Sequence, residues 1–253
     1  MPITRFVSIA APTALCLILT GCAAQTALTH RHLTKTVVTT GDWVAPEDER
    51  MDPTIPPFDP LHAAGSGDQV KARFRGTDRK VAKIAVVGGA VHDEGTVDAL
   101  ASTLASDDAM RSHNPPLTTD SDCDRVSEER RNVKIKAWVY AIKYEADQDW
   151  HLIVGTDPGA GPVTYFNCEV SGLPAKTASD YNALLNVRQD FAAILDNDLP
   201  GPSAYTQYEP FEVTIQGSLF YDVDHAAGAV GPSGMKPNSS WEVHPISKIA
   251  WAQ

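Results

Sequence analysis

Three short groups of acids and histidines stand out in the second half of the chain: Asp147, Asp149 and His151; Asp222, Asp224 and His225; and Glu242 with His244. Imidazole nitrogens and carboxylate oxygens suit zinc, manganese or iron, and the same groups can hold a hydrolytic water beside a general base. Asp149, His151, Asp222, His225, Glu242 and His244 are therefore a candidate binding or metal site, with a divalent metal as the implied cofactor. A second reading uses the same residues as scaffold: Asp149 and Asp222 close turns through their side chains, while His151 and His244 satisfy buried backbone groups. No HExxH occurs to decide between the two.

Searches for other chemistry return little. Gly65-Ser66-Gly67 does not sit on a strand-to-helix elbow, and no GxSxG is present. Gly88 to Gly95 fits neither GxGxxG nor GxxxxGK[ST] and places Asp93 and Glu94 where phosphates would lie, so a plain turn is expected. Cys168 is followed by Glu169 rather than by a cation that would favour its thiolate. No catalytic residue is assigned on these grounds. Lys134, Lys136, Trp138 and Tyr140 share one strand face, a surface aromatic and basic face suited to stacking and phosphate contact. The acidic balance opposes that use: 21 Lys and Arg stand against 32 Asp and Glu, a net charge of −11 that repels polyanions at long range. A nucleic-acid partner is not expected.

The elements that must position the histidines follow from periodicity. Val133, Ile135, Ala137, Val139 and Ala141 alternate with polar residues in a long strand. An acidic turn leads to a second strand, Trp150 to Val154, and Asp157-Pro158-Gly159 marks the reversal into a third, Val163 to Val170. Thr177 and Asp180 form a weak capping box before a helix that carries Tyr181, Leu184, Leu185, Arg188, Phe191, Ile194 and Leu195 on one face. Phe211 to Tyr221 is a fourth strand, with Gly217 where a bulge would fit, and Trp241 to Ile249 a fifth. Upstream, Val81 to Val87 is expected as a strand, Val97 to Leu104 as a helix, and Asp107 to Arg131 as a polar loop. Three strands, a helix and two strands make the chain mainly β. The order is similar to the OB-fold, a five-stranded Greek-key barrel (β-β-β-α-β-β) that binds oligonucleotides, oligosaccharides or proteins.

The amino-terminal segment carries an address. Arg5 precedes an apolar run from Phe6 to Leu19, which is too short to span a bilayer as a mature helix, and Leu19-Thr20-Gly21-Cys22 follows. This ending resembles the lipobox of bacterial lipoproteins, which implies lipidation at Cys22, a membrane partner through the lipid anchor, and placement on the outer membrane facing the periplasm. Residues 1–21 then form the signal peptide and 22–68, rich in Thr, Pro, Gly and acid, a flexible, disordered tether on which Trp43 and Phe58 are isolated aromatics. Residues 69–131 are an accessory region, and 132–253 the barrel domain. In an oxidising compartment a disulfide between Cys123 and Cys168 is the default. No CxxC spacing is present for a zinc-cysteine site.

Taken together, Asp147-Gln148-Asp149-Trp150-His151-Leu152, Gly217 to His225 and Trp241-Glu242-Val243-His244-Pro245-Ile246 follow D-x-D-[YFW]-H-L, G-x-x-[FY][FY]-D-x-x-H and [WI]-E-[IV]-H-P-[IV]. The pattern resembles a family of uncharacterised secreted bacterial proteins and implies that the three groups come as a set, in one site or one scaffold. The expectation is a cell-envelope lipoprotein with a non-catalytic binding or structural OB-like module, whose partner is an envelope protein or glycan. The alternative is a metal-dependent hydrolase of phosphoesterase type that uses the His/Asp/Glu groups as ligands and base.

Overall fold

A computed structural model describes residues 33–38, 79–120, 122–145, 147–174, 176–201 and 204–251. The segment read as a signal peptide, Cys22, Trp43, Phe58 and most of the 22–68 stretch lie outside the described residues. The elements are β1 (Lys35–Val38), α1 (Lys80–Ile84), β2 (Val91–Thr96), α2 (Val97–Ser102), α3 (Asp107–Arg111), a 3-10 turn (Ser127–Glu129), β3 (Asn132–Tyr144), β4 (Trp150–Gly155), β5 (Tyr165–Val170), α4 (Tyr181–Ile194), β6 (Tyr205–Tyr221) and β7 (Trp241–Trp251). Mainly β is the outcome, and the five strands expected after Asn132 all form.

The strands make one seven-stranded sheet, ordered β1-β6-β7-β5-β4-β3-β2, with a further pairing between β6 and β3. That pairing closes a circuit from β3 through β4, β5, β7 and β6 back to β3. Every contact in it is antiparallel except β5 with β7. The apolar core gathers Val133, Ile135, Ala137 and Val139 of β3, Trp150, Leu152 and Val154 of β4, Cys168 of β5, Val243 of β7 and Phe191 of α4. Each is nearly water-free, and burying such side chains stabilises by roughly 1.5–3 kcal/mol apiece. Gly217 is the bend in β6. The register with β7 shifts on both sides of it, and a Cβ there would lie 2.5 Å from the Pro245 carbonyl oxygen.

Four expectations are corrected. Val81 to Val87 is not a strand: Lys80–Ile84 is a helical turn, because a short apolar run satisfies either period and the helix turns Ala82 inward. The expected turn at Gly88–Gly95 instead contains β2, which pairs parallel with β3 with a bulge between Asp93 and Gly95. Within the stretch read as a tether, Lys35–Val38 pairs antiparallel with β6. Cys123 and Cys168 are free thiols, since Cys168 faces the core beneath β5 while Cys123 sits in a loop with its Sγ near the Asp124 carbonyl. The weak cap also fails in detail: α4 starts at Tyr181 with Asp180 at its N-cap, and that side chain accepts no bond from the first turn of the helix but one from Val86 N at 3.1 Å.

Candidate functional site

Alternation along three adjacent strands builds the site. Successive side chains of a strand point to opposite faces, so while Trp150, Leu152 and Cys168 enter the core, Asp149 and His151 of the β4 segment face the other way. Asn167 and Glu169 of β5 and Glu242 and His244 of β7 do the same. Register lines them up: His151 lies opposite Glu169, and Asn167 opposite Glu242. Lys143 of β3 lies opposite His151 on the other side. The result is a polar grid on the face of the sheet turned away from the apolar core.

The grid is buried and tightly connected. Glu169, with no exposed surface, bridges two histidines: its Oε1 lies 2.9 Å from His151 Nε2 and its Oε2 2.9 Å from His244 Nδ1. The other nitrogen of His244 lies 3.5 Å from Asp149 Oδ2. Asn167 Nδ2 donates to Glu169 Oε1 and to Glu242 Oε1, both at 2.8 Å. Glu242 reaches both ways, with Oε2 3.6 Å from His244 Nδ1 and Oε1 3.9 Å from His225 Nδ1. Asp222 completes this end, 2.9 Å from His225 Nδ1. At the opposite end Lys143 pairs with Glu145 at 2.9 Å, and Glu145 lies 3.7 Å from His151 Nδ1.

Two triads within this network bring one donor atom each to within 4.8 Å of one another: Asp149, Glu169 and His244, and Asp222, His225 and Glu242. Metal bonds of about 2.0–2.2 Å to such donors place neighbouring ligand atoms about 3.4 Å apart, within the 4.8 Å that spans each triad. Both ring nitrogens of fully buried His244 lie outside hydrogen-bond geometry despite these short approaches, as do Glu169 Oε2, Glu242 Oε2 and Asn167 Oδ1. Buried polar atoms are normally hydrogen-bonded, so this concentration of unmet ones marks the site off from ordinary scaffold.

Mutual charge sets the protonation. Burial alone would push the His151 imidazole down, but the Glu169 and Glu145 carboxylates outweigh it and raise the pKa to about 9. For His244 burial is likewise outweighed, by Glu169 and Asp149, and the value rises to about 10. Glu169 is held well below the usual carboxylate range, the two histidines overcoming its desolvation. Asp222 is held low by His225 and Lys83 against the same penalty. Asp149 moves the other way, raised by burial and by neighbouring Asp147.

The accessory region finishes the enclosure. Arg79, in the left-handed region at φ 51°, forms a two-pronged pair with Glu129 at 2.7 Å and donates to the Tyr221 carbonyl. Arg125 donates to the carbonyls of Leu219, Ala82 and His244. These two guanidinium groups and Lys83 lie over the Phe220 ring at 4.9, 5.6 and 5.9 Å. The clip delivers Lys83 of α1 to the site, 3.7 Å from Asp222 and 4.0 Å from Asp147. A water-sized pocket at the β6–β7 connection is lined by Asn167, His225 and Glu242 with Gly228, Val230 and Ser239.

All six residues singled out in the sequence thus converge. Asp222 does close a turn, accepting from the backbone N–H of Asp224 and His225, whereas Asp149 accepts from Gly172 N on a distant segment, and His151 and His244 face carboxylates rather than backbone. Glu169, Asn167, Glu145, Lys143 and Lys83 were not anticipated. An acid in the largely apolar strand Tyr165–Val170, two residues after Asn167, is the one sequence signal that could have found Glu169. The basic and aromatic face does not form a free cationic surface: Lys134 pairs with Asp93 at 2.5 Å, Lys136 with Glu212 at 2.9 Å, and the Tyr140 hydroxyl donates to the Thr156 carbonyl. No protein-family model matches the chain, and no curated protein matches it.

Proposed function

We propose that the chain is a bacterial cell-envelope lipoprotein whose β-module is an OB-like barrel that binds a divalent metal ion at Asp149, Glu169 and His244. The lipobox-like Leu19-Thr20-Gly21-Cys22 supports the anchor and the outer-membrane address. The pairing circuit supports the barrel: numbered from β3, its strands run 1-2-3-5-4 and back to 1, with α4 between the third and fourth. OB-folds present ligands to the face of their second and third strands and the loop between the fourth and fifth. Here those are β4, β5 and the connection over the pocket. The observation that carries the metal reading is His244, wholly enclosed with both ring nitrogens outside hydrogen-bond geometry and flanked by carboxylates from two other strands.

Binding or structural work on an envelope protein or glycan remains the preferred role. The pocket at His225 and Glu242 favours a second reading, a metal-dependent hydrolase of phosphoesterase type. Pairing of Lys134 and Lys136 with acids supports keeping nucleic acid out of either. The test is elemental analysis of the full chain in detergent after zinc and manganese titration, beside a His151→Ala, His244→Ala double variant. Stoichiometric metal in the natural protein and its loss from a folded variant is expected. A metal-free natural protein would make the histidines scaffold.

A further inference from the structure

Glu242 belongs to both ends of the grid. One oxygen faces His244 and the other His225, and Asn167 ties the first carboxylate to Glu169 through two bonds from one amide. Counting charge around this hinge gives a formal excess. Six carboxylates, Glu145, Asp147, Asp149, Glu169, Asp222 and Glu242, are buried together with two ammonium groups, Lys83 and Lys143. These acids supply carboxylates to both triads, Asp149 and Glu169 to one and Asp222 and Glu242 to the other.

The two triads differ in access. Asp149, Glu169 and His244 have almost no exposed surface and do not line the pocket, whereas His225 and Glu242 of the other triad line it together with Asn167, whose Oδ1 is buried and unpartnered. We infer that Asp222, His225 and Glu242 form a second divalent-cation position, zinc or manganese by its donors, with Glu242 placed between the two ions. This inference rests on the reading of the deep triad as a metal site. Three protein donors leave coordination positions directed to the pocket, which is the arrangement of sites that exchange water or bind an oxyanion. The deep ion is structural and the outer one exchangeable.

The test uses the full-length protein in detergent, stripped with chelator and titrated with cobalt, followed by visible absorption and metal counting after gel filtration. Two equivalents are expected, bound in two steps. His225→Ala and Asp222→Asn should each lose the weaker step and keep the tighter one, and millimolar inorganic phosphate should change the cobalt spectrum of the natural protein but not of either variant. A single step in the natural protein, retained in both variants, would overturn the second position and leave the deep site standing. Two steps retained in both variants would overturn the assignment to these residues, and no step at all would overturn the deep site as well. If neither variant keeps its circular-dichroism spectrum, the number of steps in the natural protein decides.

Discussion

The two faces of β4, β5 and β7 are made from alternate residues of the same three segments, yet they are opposite in kind. One face packs Trp150, Leu152, Cys168 and Val243 into an apolar core, and the other gathers Asp149, His151, Asn167, Glu169, Glu242 and His244. Both are buried. The core face is stable because it removes hydrocarbon from water and tolerates change by degrees. The polar face holds together only because each charge has an opposite neighbour, so it should fail by whole units when one member goes.

Removing Glu169 gives the largest expected effect. Glu169→Ala strands His151 and His244 without their shared counter-charge and should cost about 3–5 kcal/mol in the metal-free protein, read from urea unfolding. Leu152→Ala, on the core side of the same strand, should cost about 2–4 kcal/mol by leaving a cavity. A smaller loss for Glu169→Ala than for Leu152→Ala would show that the polar face is not held by mutual charge.

Acidity should sharpen the contrast next. His151 and His244 have folded values raised to about 9 and 10, so their contribution is complete below 6.5 and is lost as pH rises through those values. Glu169 and Asp222 have lowered folded values, so their contribution is present above 4.5 and 3.8 and is lost on acidification. Metal-free protein should therefore be most stable between about pH 4.5 and 6.5, with the urea midpoint falling toward pH 10. With zinc the alkaline loss should shrink, because the ion competes with the protons that the histidines release. An alkaline decline unchanged by zinc would separate the histidines from any metal. The smallest effect belongs outside both faces: Lys136→Ala breaks an exposed pair with Glu212 and should change stability by about 0.5 kcal/mol or less.

The strands were legible because alternation and turn residues are local. Val133 to Ala141 and Trp150 to Val154 declare their period within a few positions, and the acidic turn between them does the rest. The six metal-type residues were legible for the same reason, as they cluster in sequence at strand ends. Glu169 and Asn167 were not, because only the register of β5 against β4 and β7 reveals what they face. Lys83 was hidden further still: its approach depends on Arg79 and Arg125 gripping carbonyls of β6 and β7, contacts spanning 142 and 119 positions of the chain. The disulfide expectation counted thiols by compartment, whereas the face on which Cys168 falls was already set by its neighbours.

The parallel contact of β5 with β7 rests on two residue pairs, Asn167 with Glu242 and Cys168 with Val243, and β7 ends at Trp251. In terms of folding order, the grid is completed by β7, the last of the described strands. Pairings of such long sequence separation form late and slowly, and until β7 docks, neither Glu242 nor His244 is in place. The metal proposed at these residues would have no complete site before that pairing forms, so it would be drawn from the compartment in which β7 docks.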